Sequence, residues 1–419
     1  MRFRYAHGNH PDWSVATEEC LLQLQAFAGN ESYARNANLG FVYLTDALVP
    51  HAEQILAMLK GRTGIPNWIG ASGVGICATG VEYVDEPALA VMLASFAPGT
   101  VNVFSGTQRP PTLGTRTDAG ADAAFTALVH ADPGTHELPE LLVDMAHKVS
   151  SGYLFGGLAS GRSRALQIAD RVLGGGLSGA VFASDVKLVS RVSQGVHPLP
   201  GATRHTVTRA DANLILELDS RPAFDVLLED AGIRARAAVG TSLGAGGGEV
   251  TREDFGRVRA KLQALGRRGL FVGIEPGSGG QGAAYRERTP RADYLVRHVV
   301  ALDPAQRLVA VAAQVEEGQA LSFCTRDEPA ARKDLIRVCA EIRDHLHEQG
   351  ERAGGEVEAK GAVYVSCMGR GSHMFGEQGE ELRVIQSQLG DVPLVGFYAA
   401  GEIGGQNLYG FTGVLTVFY

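Results

Sequence analysis

Long apolar runs are missing from this chain. Nothing approaches the roughly 20 consecutive apolar residues of a membrane-spanning helix, so no membrane insertion is expected. The opening "MRFRYAHGNHPDW" has none of the apolar core of a signal peptide. Positive charge is also short: 38 Lys and Arg stand against 46 Asp and Glu, for a net charge of −8. No block of like charge stands out, and without a basic stripe no nucleic-acid partner is expected. Cysteine is sparse. Cys20, Cys77, Cys324, Cys339 and Cys367 are scattered, odd in number and without CxxC spacing. That fits a reducing, cytoplasmic setting better than a disulfide framework. HExxH, Walker A and CxxCH motifs are absent as well, and His345 and His347 stand two apart on a helix, so they do not face together. No metal site is expected. "GSGGQG" (277–282) follows "IEP" and leads into no clear helix, which makes it a poor dinucleotide fingerprint.

Glycine is abundant. The 419 residues include 54 glycines, against a usual share of about 7%. They show no collagen periodicity, so they belong at turns and places of close backbone approach. A hydrophobic content of 45% with 20% charged residues describes an ordinary globular protein of two or three domains.

A pattern recurs three times. "FVYLTD" (41–46) reads as a buried strand, and Leu48, Ala52, Ile55 and Leu59 mark one helix face, with Gly61 placed to cap it. A second strand follows as "WIGASGVG" (68–75), then another as "ALAVMLASF" (88–96). The second copy runs from "FTALVHAD" (125–132) through a helix carrying Leu138, Leu141 and Met145 to "YLFGGLASG" (153–161) and "SGAVFAS" (178–184). The third runs from "AVYVSCMG" (362–369) through Leu382, Ile385 and Leu389 to "LVGFYAAGEIGG" (394–405) and "TGVLTVFY". Each is a strand–helix–strand crossover whose second strand enters a Gly/Ala/Ser turn. Open α/β sheets bind ligands beyond strand carboxyl ends, where such turns sit. Ser72, Gly73, Gly157 and Ser160 are therefore candidate ligand contacts, although such glycines also serve simply to allow a tight turn.

Between the copies, "VKLVSRVSQGV" (186–196) and "ANLILELD" (212–219) read as strands, and "RPAFDVLLEDAGI" begins a helix. "GTSLGAGGGEV" (240–250) reads as a loop, and "LVRHVVALDPAQRLVAVAAQV" as two strands around the turn "DPAQ". "ALSFCT" leads to a helix with Leu335, Cys339, Ile342 and Leu346 spaced for burial. The expected fold is α/β and two-lobed, with layered mixed β-sheets, flanking helices and repeated strand–helix–strand units. A boundary falls near residue 221, giving an extension over 1–29 and lobes over 30–220 and 221–419.

The end of the chain is richest in chemistry. "CMGRGSHMFG" (367–376) follows a strand, so Cys367, Gly369, Arg370 and His373 emerge at the sheet edge. Tyr398, Glu402, Asn407 and Thr412, on and after the neighbouring strand, reach toward the same space. An Arg facing a Glu across a glycine-rich cleft suits a zwitterion such as an amino acid, with the guanidinium clamping the carboxylate and Glu402 accepting from the ammonium. The plainer alternative is a structural Arg370–Glu402 ion pair. Cys367, His373 and Glu402 are also the residue types of a cysteine-dependent hydrolase or acyltransferase, but a strand cysteine more often serves as a small hydrophobe.

"SCMGRGSHMFG", "VPLVGFYAAGEIGG" and "LYGFTGVLTVF" resemble the FIST domain, the sensory module of bacterial signalling proteins and certain F-box proteins. "RTPRADYLVRHVVALDP" (288–304) resembles the segment ahead of its carboxyl-terminal half. "GASGVGICATGVEY" and "LFGGLASGRS" resemble the glycine turns of its amino-terminal half. The resemblance covers residues 30–418 and names the two lobes as FIST N-like and FIST C-like, with no receiver, kinase, cyclase or F-box segment beside them. It implies a small-molecule sensor, amino acids being the proposed ligands; such a sensor is expected to act through a signalling partner protein, and no cofactor is expected. Some members bind haem and sense nitric oxide, which would make His373 an axial candidate. The short link between Ile403 and Asn407 is expected to reshape the pocket rim.

Overall fold

The computed structural model describes residues 1–26, 36–233, 260–263, 265–266, 269–275 and 295–419. The "GSGGQG" and "GTSLGAGGGEV" segments lie outside the described residues, as does the start of "RTPRADYLVRHVVALDP". The chain forms two compact units. One comprises Met1–Gln194 and Ala331–Tyr419; the other, Gly195–Ala330, is inserted in its sequence, and residue 221 falls inside it.

The first unit holds three six-stranded mixed sheets, each built on one of the three crossovers. The parallel pairs are Leu39–Thr45 with Asn67–Gly73, Thr126–Ala131 with Leu154–Leu158, and Gly361–Cys367 with Leu394–Ala399. These strands are buried on both faces, which explains their near-continuous apolar runs. On Leu39–Thr45, Phe41 and Tyr43 point into a core shared by all three sheets, while Val42 and Leu44 point outward under helices. The same alternation sets Val363 and Val365 against Ala362 and Tyr364 on Gly361–Cys367. Phe418 sits at the junction, with ring centroids 5.3 Å from Phe3, 5.5 Å from Phe182 and 5.8 Å from Phe96.

Helices cover the outer faces. Trp13–Ala26 and Ala52–Thr63 pack on the first sheet, Leu138–Ala146 on the second, and Glu328–Ala353 with Glu380–Leu389 on the third. Two local expectations shift. Gly61 lies inside its helix, and Gly64, at φ 70, supplies the left-handed C-cap. In the helix Leu138–Ala146 the buried residue is Leu142 rather than Leu141. The sheets also exchange strands. Gly75–Ala78 leaves the amino-terminal half to pair with Leu394–Ala399, and Glu402–Gly405 pairs with Leu154–Leu158 before Thr412–Phe418 returns to the third sheet.

The second unit is a closed six-strand antiparallel barrel. Ala320–Arg326, His205–Asp211, Leu214–Leu218, Leu308–Val311, Leu295–Asp303 and Leu270–Ile274 pair in that order, and the last returns to the first. Closure leaves no open edge among these strands. Val207, Ile215, Val272, Val309 and Phe323 fill it. No helix among the described residues is long and apolar enough to cross a membrane.

Candidate functional site

The central glycines of the three crossovers face their own backbone. A Cβ at Gly70 would lie 1.7 Å from the Val42 carbonyl oxygen, at Gly396 1.7 Å from that of Tyr364, and at Gly156 2.0 Å from that of Val129. Each is opposite its registered partner on the neighbouring parallel strand. Gly73 and Gly157 are similarly crowded, by the Gly75 carbonyl oxygen at 2.3 Å and by Val365 Cγ1 at 2.6 Å. The space left by these side chains is taken by the protein itself.

The ligand space lies just beyond. A cleft of about 270 Å³ in the first unit is lined by Val74 after one crossover strand, Gly161 and Arg162 after the second, and Tyr398 at the end of the third. Val84, Asp85, Met368, Arg370, Ser372 and His373 complete the lining. All three repeats therefore deliver a carboxyl end to one cleft, at the edge that parallel sheets use for ligands.

Two serines tie these ends together. Ser72 Oγ donates to the Ser160 carbonyl (3.0 Å) and accepts from the Leu166 amide (2.9 Å). Ser160 Oγ donates to the Tyr398 carbonyl (2.5 Å) and accepts from the Val74 amide (2.9 Å). Both hydroxyls are thus engaged in holding the floor. At the rim, Arg162 Nε donates to Asp85 Oδ1 (2.9 Å), joining the two loops.

Sequence reasoning missed two buried carboxylates behind the floor. Glu82 accepts from the Tyr398 hydroxyl and from the Ser372 amide (3.1 Å). Glu381 accepts from Tyr364 Oη (2.5 Å), Arg370 Nε (2.7 Å), Ser366 Oγ (3.1 Å) and the Gly371 amide (3.1 Å). Gly371 makes this possible: at φ 58 it turns Arg370 inward and aims successive amides at the two carboxylates. Burial together with Glu381 and Glu82 pushes the Tyr398 hydroxyl well up. One sequence signal existed for Glu381, which stands four residues before Ile385 and so on the buried face of its helix.

Arg370 and Glu402 are both fully buried. The Arg370 ion partner is Glu381; Nη2 also donates to Ser193 Oγ (3.3 Å), the guanidinium lies over Phe375, and Nη1 has no partner. Glu402 Oε2 accepts from Thr412 Oγ1 (2.8 Å) and the Thr412 amide (3.1 Å), while Oε1 has no partner. Burial pushes the Glu402 carboxyl up to about 8, against the Thr412 hydrogen bonds and the Arg370 charge. Cys367 is half-buried beside this carboxyl, and burial, reinforced by Glu402, pushes its thiol up to about 12.

Of the residues expected at the site, Arg370, His373 and Tyr398 thus line the cleft; buried Glu402 and Thr412 form a neighbouring group with half-buried Cys367. Gly369 is half-buried in the turn between them, and half-buried Asn407 belongs to the hairpin pairing Glu402–Gly405 with Asn407–Tyr409. The haem alternative fits poorly. The cleft that His373 lines is polar at its rim and falls below the roughly 300–1,000 Å³ of pockets that enclose drug-sized molecules. Among the described residues no group of three or more His, Cys, Asp or Glu could hold a metal ion.

Comparison with known families places this arrangement. The FIST N domain model matches residues 38–221 and the FIST C domain model residues 249–405. An uncharacterized protein of Mycobacterium tuberculosis (strain CDC 1551 / Oshkosh) is 31% identical over 389 residues, spanning 88% of this chain and 87% of its own. An uncharacterized protein of Mycobacterium bovis (strain ATCC BAA-935 / AF2122/97) is 29% identical over 434 residues, spanning 97% and 96%. FIST domains are in general small-ligand sensory domains of signal transduction.

Proposed function

The chain belongs to the FIST family, and from that premise we propose that it is a cytoplasmic sensor whose first unit binds a small polar molecule, an amino acid or a similar compound, and passes the signal to a partner protein. One observation carries the reading: three repeated crossovers deliver their carboxyl ends to a single cleft of about 270 Å³, lined by Val74, Gly161, Arg370 and Tyr398. Its walls are part apolar, at Val74, Val84 and Met368, with a few convergent polar groups, the usual make-up of a small-molecule site.

The cysteine-enzyme alternative draws little support from the site. A nucleophilic cysteine needs thiolate character, whereas the Cys367 thiol is pushed up to about 12 beside a buried carboxyl. The sensory reading is tested by native mass spectrometry of the purified protein and calorimetric titration with a panel of amino acids. A bound small molecule, or saturable binding of one amino acid, supports it. The absence of both a co-purified molecule and any binding contradicts it.

A further inference from the structure

We propose that the ligand of this cleft is a small organic carboxylate without an ammonium group, its carboxylate directed to the unpartnered Nη1 of Arg370; this refines the sensory reading above and rests on it. Unmet hydrogen-bonding capacity at Arg370 points to such a ligand. Arg370 lines the cleft and is fully buried, its Nε engaged by Glu381 and its Nη2 by Ser193, while Nη1 donates to nothing. A buried donor without an acceptor is costly and marks a place where an acceptor belongs.

The carboxylates on the cleft lining and directly behind its floor are already engaged. Each Glu82 oxygen accepts one donor, and each Glu381 oxygen accepts two. Asp85, the carboxylate on the cleft lining, is neutralised by Arg162 at the rim. Glu402 gives Oε2 to two donors from Thr412 and leaves Oε1 without a partner, but it does not line the cleft, and burial favours its uncharged form. An incoming ammonium would displace existing donors, whereas a carboxylate meets one that lacks a partner. Val74, Val84 and Met368 provide the apolar wall for the rest of such a molecule.

The test is calorimetric titration of the full chain at pH 7 with a matched set: propionate, L-alanine and n-propylamine. Propionate is expected to bind saturably, and alanine roughly tenfold or more weakly, since one unmatched charged group is carried into the site. Substituting Arg370 would also strip Glu381 of its partner, so rim variants carry the electrostatic arm. Met368 lines the cleft and is 43% exposed, so its replacement leaves the core intact. Met368→Glu should weaken propionate binding and Met368→Lys strengthen it. Alanine or propylamine binding as tightly as propionate would overturn the proposal, as would insensitivity to both rim variants or no binding by any of the three. The sensory reading is judged separately. A co-purified ligand that lacks a carboxylate ends this proposal and keeps that reading, while no ligand of any kind ends both.

Discussion

Arg370 and Glu381 form a salt bridge of 2.7 Å with both side chains fully buried, and the carboxylate is shared with Tyr364, Ser366 and the Gly371 amide. Glu381 stands eleven positions after Arg370 in sequence. They lock the turn after Gly361–Cys367 onto the helix Glu380–Leu389, which fixes one wall of the cleft. Glu381→Ala leaves a guanidinium buried without its counter-ion and should cost about 3–5 kcal/mol in urea denaturation. An Arg370→Met, Glu381→Leu double variant should recover part of that loss. A cost below about 1 kcal/mol for the single variant would mean that the pair contributes little.

The glycine positions separate close packing from helix propensity. Gly70→Ala and Gly396→Ala each drive a methyl group into a carbonyl oxygen of the adjacent strand. Both should exceed the roughly 0.5–3 kcal/mol of ordinary point substitutions, or abolish folding. Gly61→Ala is the control. It sits inside a helix with nothing within 4 Å of the added methyl, and should raise stability by about 1 kcal/mol. Thermal melts of the three variants decide the matter.

Two buried groups set opposite ends of the pH profile. Glu402 has a folded value of about 8 against an ordinary 4.5, because burial disfavours its charge. The folded state holds the extra proton, so its contribution is complete below pH 4.5 and is lost as pH rises toward 8. His130 is the reverse. Burial lowers it from 6.5 to about 3, so its contribution is present above 6.5 and lost as pH falls toward 3. Each slope is about 1.4 kcal/mol per pH unit. They cancel between 4.5 and 6.5, giving a plateau with losses on either side. Glu402→Gln should flatten the alkaline limb and leave the acid limb. An unchanged alkaline limb would place Glu402 in a more solvated setting.

Cys367 distinguishes a packing thiol from a reactive one. With its thiol pushed up to about 12, iodoacetamide at pH 7.5 should label it far more slowly than an unhindered cysteine, whose ordinary value is about 8.5. Peptide mapping after timed alkylation reads this directly. Rapid labelling of Cys367 ahead of Cys20, Cys77, Cys324 and Cys339 would favour the enzyme alternative.

Much of the fold was legible because its strands are buried on both faces and therefore appear as apolar runs such as "FVYLT" and "AVYVSC". The crossover helices showed themselves through Ile55, Leu59, Leu382 and Ile385. The strand exchanges were not legible. Gly75–Ala78 joins Leu394–Ala399 across more than 300 residues, a pairing that no local pattern encodes. The closing of the barrel depends likewise on non-local register. Of the cleft-lining residues, Arg370 and His373 stood out in the sequence as polar groups after a strand, and Tyr398 as one near the end of the next. Glu82 and Glu381 were passed over because a carboxylate on a short strand or in a first helical turn normally faces water. The glycines were read as room for a ligand, but a sequence does not say whose atoms fill the space left by a missing side chain.

The most direct test of the account is to block the cleft without touching its buried polar network. Val74 is half-buried on the lining, and Val74→Trp puts a much larger side chain there. Wild-type and variant proteins, purified in parallel, are compared by native mass spectrometry for co-purified small molecules and by calorimetry with whichever compound the wild type binds. The account predicts that the variant folds with a similar melting temperature and loses the ligand. A variant that is equally stable and keeps wild-type affinity would contradict it, because the binding site would then lie elsewhere.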